Sequence, residues 1–229
     1  MIDVVIPTIL KSDINVFKYT IEEMQKATEV KSIIIIDNTP SCEFSKQIGV
    51  GSKIQLIENK KNVYVNPAWN QGVALSTEDN VVILNDDILC DYRVFNLMSS
   101  MMNSNKDIGL LTVLTRNDMR IEEYKNCANN FNYDNVIFGN KFGSREGDKT
   151  GWLMCIDKSL WKPLPETLKI WFGDDLIYRR IRQMQRKVLS MENVFVSHNE
   201  SSSIKKCASV VNPVINADII EYNKIVKRY

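Results

Sequence analysis

Read for apolar and polar positions alone, the chain alternates two kinds of segment. Short continuous apolar runs at residues 4–6, 33–36, 54–57 and 81–84 predict strands buried on both faces. Between them the apolar positions spread to helical spacing. Ile14, Phe17, Ile21 and Met24 mark one helix, with Ser12 or Asp13 as its cap. Asn66-Pro67 reads as an N-cap followed by proline at the first helical position, opening a helix that runs through Trp69 to Leu75. A further helix is expected around residues 92–102. Strands rich in β-branched residues that alternate with helices argue for a parallel sheet covered by helices, an α/β fold.

The second half is less regular. Residues 110–114 form another apolar run, whereas residues 126–150 are polar, rich in Asn and Gly, and read as irregular hairpins or a mobile loop. Order returns with "GWLMCID", then with "WFGDDLIYRRIRQMQRKV", where Leu176, Ile177, Ile181 and Met184 mark a helix face. Residues 194–196 lead to His198, and past Pro213 a last helix carries Ile215, Ile219, Ile220 and Val226 on its packing face. No repeat or linker interrupts the pattern, so one domain is expected over residues 1–229.

Chemistry gathers where strands end. In "VVILNDDILCD" an apolar strand runs straight into Asn85, Asp86 and Asp87. A turn needs one such residue, and adjacent carboxylates repel, so a cation is expected against them. Thr8 and Asp37 close two other strands, and a parallel sheet binds ligands at the carboxyl ends of its strands. These tips should therefore line one edge.

Composition narrows the class. With 29 basic against 28 acidic residues, no global field draws the chain to nucleic acid or to a membrane. The 5 cysteines are dispersed without a CxxC pair, as expected of reduced thiols and not of a disulfide frame or a zinc cage. Proline interrupts the N-terminal apolar run, and no stretch approaches the length of a membrane span, so a soluble cytoplasmic protein is expected. The Asn, Lys and Ile content hints at an AT-rich genome, bacterial or viral.

The ordered set "VVIPT", "IIIIDNTP", "NKKNVYVNPAWNQGVALS", "VVILNDD", "GWLMCIDKSLW", "WFGDDLIYRR" and "VSHNESS" resembles glycosyltransferase family 2 of the GT-A fold. The resemblance covers residues 2–202 and leaves the last helix outside. It implies a Rossmann-like, mostly parallel mixed sheet flanked by helices. It also implies sugar transfer from a nucleotide sugar to an acceptor, with inversion and usually a divalent metal. The chain then divides into a nucleotide-sugar half (1–113), an acceptor and catalytic half (114–202) and a C-terminal helical extension (203–229).

Residue by residue, the resemblance makes Asp87 the metal-binding carboxylate, with Asn85 standing where the family has its first aspartate. His198 stands where a second metal ligand is expected, and an imidazole favours Mn²⁺ mildly over Mg²⁺. Asn85 or Asp86 would hydrogen-bond the ribose. Thr8 and Asp37 would contact base or ribose, and Asn66 and Asn70 match an asparagine stretch whose usual preceding glycine is Val63. Asp174 is the expected general base and Asp175 its orienting or capping neighbour; a gapless alignment reverses those roles. Trp152 is expected at the acceptor side. One of Arg179, Arg180, Arg182, Arg186 and Lys187 could meet a diphosphate or an anionic acceptor. The donor implied is a UDP-sugar. The acceptor stays open between glycans, lipid-linked or on protein, and DNA. A nucleotidyltransferase of similar sheet plan and a non-catalytic nucleotide-sugar-binding module are the other readings.

Overall fold

The protein is described by a computed structural model covering residues 1–49, 51–114, 118–139, 151–198 and 208–227. Its first strand, β1 (Ile2–Thr8), is buried along its whole length and pairs in parallel with β2 (Val30–Asp37) and β4 (Asn80–Leu84). β3 (Ile54–Glu58) extends the parallel side beyond β2. β8 (Leu153–Asp157) then enters antiparallel between β4 and β6 (Ile108–Val113). β9 (Lys187–Met191) runs parallel to β6, and β7 (Phe138–Gly139) closes the far edge. The result is one eight-stranded mixed sheet of order β3-β2-β1-β4-β8-β6-β9-β7. It draws strands from both sides of residue 113, and it is the mostly parallel α/β sheet that the apolar pattern predicts.

The period of two in the central strands sorts side chains to two faces. Val4, Ile6, Ile33 and Ile35 pack against α1 (Ile14–Lys26) and α4 (Tyr92–Ser104) through Phe17, Ile21, Met24, Phe95 and Met98. Val5, Ile34, Ile36 and Ile83 pack on the other face against α3 (Val65–Leu75) and α6 (Gly173–Gln183), through Trp69, Val73, Leu176, Ile177 and Ile181. Each such side chain contributes about 1.5–3 kcal/mol by leaving water. Gly72 lets α3 lie directly on β1, since a Cβ there would collide with Val5.

Several expectations change. Asp13 caps α1 as foreseen, accepting from Asn15 N at 2.9 Å. Asn66 does not cap α3: the helix begins at Val65 behind Tyr64, and Pro67 falls inside the first turn, where its missing N–H has no intrahelical acceptor to lose. Residues 121–130 form helix α5, which overlaps the stretch expected to be irregular. Only Tyr124 and Ala128 of that helix are buried, too sparse an apolar stripe to announce itself. Residues 133–135 form a single 3-10 turn before β7, and residues 140–150 of the expected loop lie outside the described residues.

The basic helix stops at Gln183, and its tail becomes strand β9. Arg186 N donates to Ile181 O and Gln185 N to Arg182 O, a Schellman ending with Gln185 at φ 56° where glycine is usual. Without that glycine the stop leaves no sequence signal. The last helix, Ala208–Val226, holds Pro213 inside it and not before it. It buries Ile215 and Asp218, while Ile219 and Ile220 are exposed. The described cysteines Cys42, Cys90, Cys127 and Cys155 are free, and no described helix is long and apolar enough to cross a membrane.

Candidate active site

Where β1 and β4 end, Asn85, Asp86 and Asp87 occupy the short gap before β5 (Ile88–Cys90). Asn85 N donates to Trp152 O at 3.0 Å, which fixes the gap to the start of β8. Asp86 turns back toward β1: Thr8 Oγ1 and Ser12 Oγ each donate to one of its carboxylate oxygens at 2.6 Å. Loss of water pushes Asp86 up to about 6, and the Asp87 charge adds to the rise while the two hydroxyls oppose it. Both Asp86 oxygens are thereby engaged in holding the turn.

Asp87 faces a different neighbour. β5 pairs antiparallel with β10 (Val196–His198), with His198 opposite Ile88. That register brings His198 Nε2 to 3.4 Å from Asp87 Oδ1, with both side chains about nine-tenths buried. Trp152 stacks on the imidazole at 5.0 Å between ring centroids. Asp87 Oδ1 and His198 Nδ1 are buried without a hydrogen-bond partner among the described residues. A buried polar atom left unpaired costs about 1–3 kcal/mol, so Asp87 Oδ1, facing His198 Nε2, suits a cation that the two atoms share. Two donors held to one cation at about 2.1 Å and at right angles lie about 3 Å apart, near the spacing seen. Among the described residues no three His, Cys, Asp or Glu side chains group to cage a metal alone. Any cation held here would complete its shell with oxygens of a bound ligand or water.

Across the opening, α6 points its N-terminus inward. Asp174 and Asp175 lie in its first turn, where free N–H groups and the helix dipole favour negative charge. Asp174 reaches close to Gly151: a Cβ on Gly151 would lie 2.5 Å from its Oδ2. Phe172, the residue before the helix, sits at φ 64°, and Tyr64 before α3 at φ 69°. Such conformations cost bulky residues about 1–3 kcal/mol and persist only where surroundings enforce them.

A cavity of about 660 Å³ opens between these parts. Thr8, Asn85, Asp86, Asp87, Trp152, Asp174, Asp175 and His198 all line it, although they come from distant parts of the chain. Trp152 is 6% exposed and contributes a wall against His198 more than an open platform. Tyr64, Trp69, Trp171 and Phe172 supply further aromatic lining.

Three expected residues are not among the lining. Asp37 is fully buried and accepts from Thr39 N at 2.8 Å and Phe44 N at 2.9 Å, closing the turn between β2 and the short helix α2 (Phe44–Gln47). Asn70 brackets Leu164, donating to its carbonyl and accepting from its N–H, both at 2.8 Å. Asn66 donates through Nδ2 to Trp171 O at 3.1 Å and through its backbone N to Lys169 O at 3.0 Å. The basic helix also faces elsewhere: Arg179, Arg180, Arg182, Arg186 and Lys187 do not line the cavity, and Arg180 and Arg186 donate to backbone carbonyls. Asn38 takes the place foreseen for Asp37 in the lining. Ser12, Trp171 and Phe172 were not anticipated in these roles; only "WF" before "GDD" offered a hint.

Comparison with known proteins agrees with this fold. The family model described as glycosyl transferase family 2 matches residues 3–161. Among curated proteins no sequence match is found. Glucosyl-3-phosphoglycerate synthase from Mycobacterium tuberculosis, solved with Mn²⁺, uridine diphosphate and phosphoglyceric acid, superposes with a TM-score of 0.65 at 12% identity, covering 95% of this chain and 76% of its own. The same enzyme with Mg²⁺ and uridine diphosphate gives 0.65 at 12% identity, covering 95% and 77%. TarS from S. aureus gives 0.61 at 10% identity, covering 94% of this chain and 64% of its own. At these identities the likeness shows the shared fold.

Proposed function

This chain belongs to glycosyltransferase family 2 and is a glycosyltransferase, and from that premise we propose that it moves a sugar from a UDP-sugar to an acceptor hydroxyl, with inversion and with the help of a divalent cation. The observation that carries the proposal is the pair Asp87–His198, buried, 3.4 Å apart and short of partners, facing two helix-borne carboxylates across one cavity. Asp87 and His198 would hold Mn²⁺ or Mg²⁺. Bound there, the cation would offset the charge that develops on the departing diphosphate.

The chain's own residues supply the rest. Asp86, tied to Thr8 and Ser12, keeps the turn rigid so that Asp87 is presented at a fixed place. Thr8, Asn38 and Asn85 offer the polar edge for a nucleoside. Asp174 accepts the proton of the acceptor hydroxyl as that oxygen attacks the anomeric carbon from the face opposite the leaving group. A single displacement of this kind inverts the centre and requires no enzyme nucleophile. Asp175, next in the helix, orients its neighbour. Family membership favours glycosyl over nucleotidyl transfer, and among the described residues no arginine or lysine lines the cavity.

Calorimetry of UDP binding with and without Mn²⁺, followed by mass-spectrometric product detection over a panel of UDP-sugars, tests the reading. Metal-dependent UDP binding and one productive donor are expected. Equal UDP affinity with and without Mn²⁺ would remove the metal, and binding of another nucleoside diphosphate in preference to UDP would replace the donor.

A further inference from the structure

The helix Ala208–Val226 lies beyond the residues matched by the family model, yet it reaches the cavity. Its Asp218 is fully buried and accepts three consecutive backbone N–H groups. Lys169 N donates to Oδ1 at 2.8 Å; Ile170 N and Trp171 N donate to Oδ2 at 2.7 and 3.0 Å. One turn further on, Tyr222 stacks on Phe172 with ring centroids 4.4 Å apart and planes 13° from parallel. From the opposite side Asn66 holds the carbonyls of Lys169 and Trp171. The segment is gripped by its N–H groups from one helix and by its C=O groups from another.

What the grip holds is the approach to α6. Ile170, Trp171 and Phe172 line the cavity, Phe172 keeps its positive φ, and Asp174 follows two residues later. A strained residue persists only when its surroundings over-determine it. Charge-assisted hydrogen bonds to a buried carboxylate are strong enough to do so.

We propose that Asp218 is a positioning residue for transfer: it fixes residues 169–172 and thereby sets the start of α6, aiming the Asp174 carboxylate and presenting the Trp171–Phe172 wall. The proposal rests on the glycosyl-transfer reading above. Asp218 does not line the cavity, so its loss should leave UDP binding alone and slow the reaction. An amide in its place keeps the shape but turns an N–H donor toward backbone donors.

The experiment compares Asp218→Asn with the parent chain by amide hydrogen exchange, by Mn²⁺–UDP calorimetry and by UDP release from the productive UDP-sugar. Exchange at 169–171 should quicken at least tenfold while β1 and β4 stay protected. UDP affinity and donor KM should stay within twofold, and kcat should fall about tenfold or more, because small misplacements of reacting groups cost that much. Unchanged exchange at 169–171 overturns the grip; quicker exchange with undiminished kcat overturns the positioning role. If Asp218→Asn does not fold, Tyr222→Ala loosens the same segment from the half-buried side, and parental exchange and kcat in that variant overturn the proposal. Should the parent chain turn over no UDP-sugar, the glycosyl-transfer reading fails first, and the positioning role fails with it.

Discussion

His198 Nε2 stands 3.4 Å from Asp87 Oδ1 because two three-residue strands, β5 and β10, pair in a register that sets His198 opposite Ile88. The register is held at its far end by Tyr124, whose hydroxyl accepts from Asp91 N at 2.9 Å and donates to Phe195 O at 3.0 Å. A residue at the end of one antiparallel strand pair is thus brought to a carboxylate 111 positions earlier, just outside the ladder.

Asp87→Asn should separate binding from folding. The amide keeps the shape of a side chain that makes no hydrogen bond through Oδ1 among the described residues and removes a buried negative charge, so the melting temperature should stay close to that of the parent. The Mn²⁺-dependent part of UDP affinity should vanish. Calorimetry and thermal melts on the same sample decide this; retained metal dependence would take Asp87 out of the site.

His198→Ala should weaken Mn²⁺ binding less severely than Asp87→Asn and should also cost stability. The stack with Trp152 contributes about 0.5–1.5 kcal/mol beyond burial. A Mn²⁺ titration indistinguishable from the parent, beside a lowered melting temperature, would leave His198 a packing residue only.

Asp174→Asn should keep UDP and Mn²⁺ affinity and slow transfer about 10²-fold or more, the usual scale for losing a general base. Asp175→Asn should show a milder kinetic loss. Near-parental transfer by Asp174→Asn together with an inactive, folded Asp175→Asn would exchange their roles.

Gly151→Ala probes the same carboxylate from the segment that leads into β8. The new methyl would lie 2.5 Å from Asp174 Oδ2, so the short aspartate side chain must swing aside. Turnover should fall about tenfold or more at unchanged UDP affinity, since small displacements of a reacting group are expensive. Full activity in a folded Gly151→Ala protein would show that Asp174 has room to move without consequence.

The sequence by itself determined the central sheet, because a strand buried on both faces must be apolar at every position, and residues 4–6, 33–36 and 81–84 are. It also placed the polar ends of those strands on one edge, since parallel strands share direction: Thr8, Asn85, Asp86 and Asp87 meet there. Only the tertiary structure decided which polar side chains are spent on the backbone. Asp37, Asn66 and Asn70 read like binding residues, yet each answers backbone groups of a turn or loop that packing brings within reach. Asp218 shows the converse, a carboxylate with no motif around it that gathers three N–H groups some 47–49 positions earlier in the chain. Hydrophobic periodicity is local and survives in one dimension. Which donor meets which acceptor depends on the distances set when two helices close on a loop, and those distances exist only after folding.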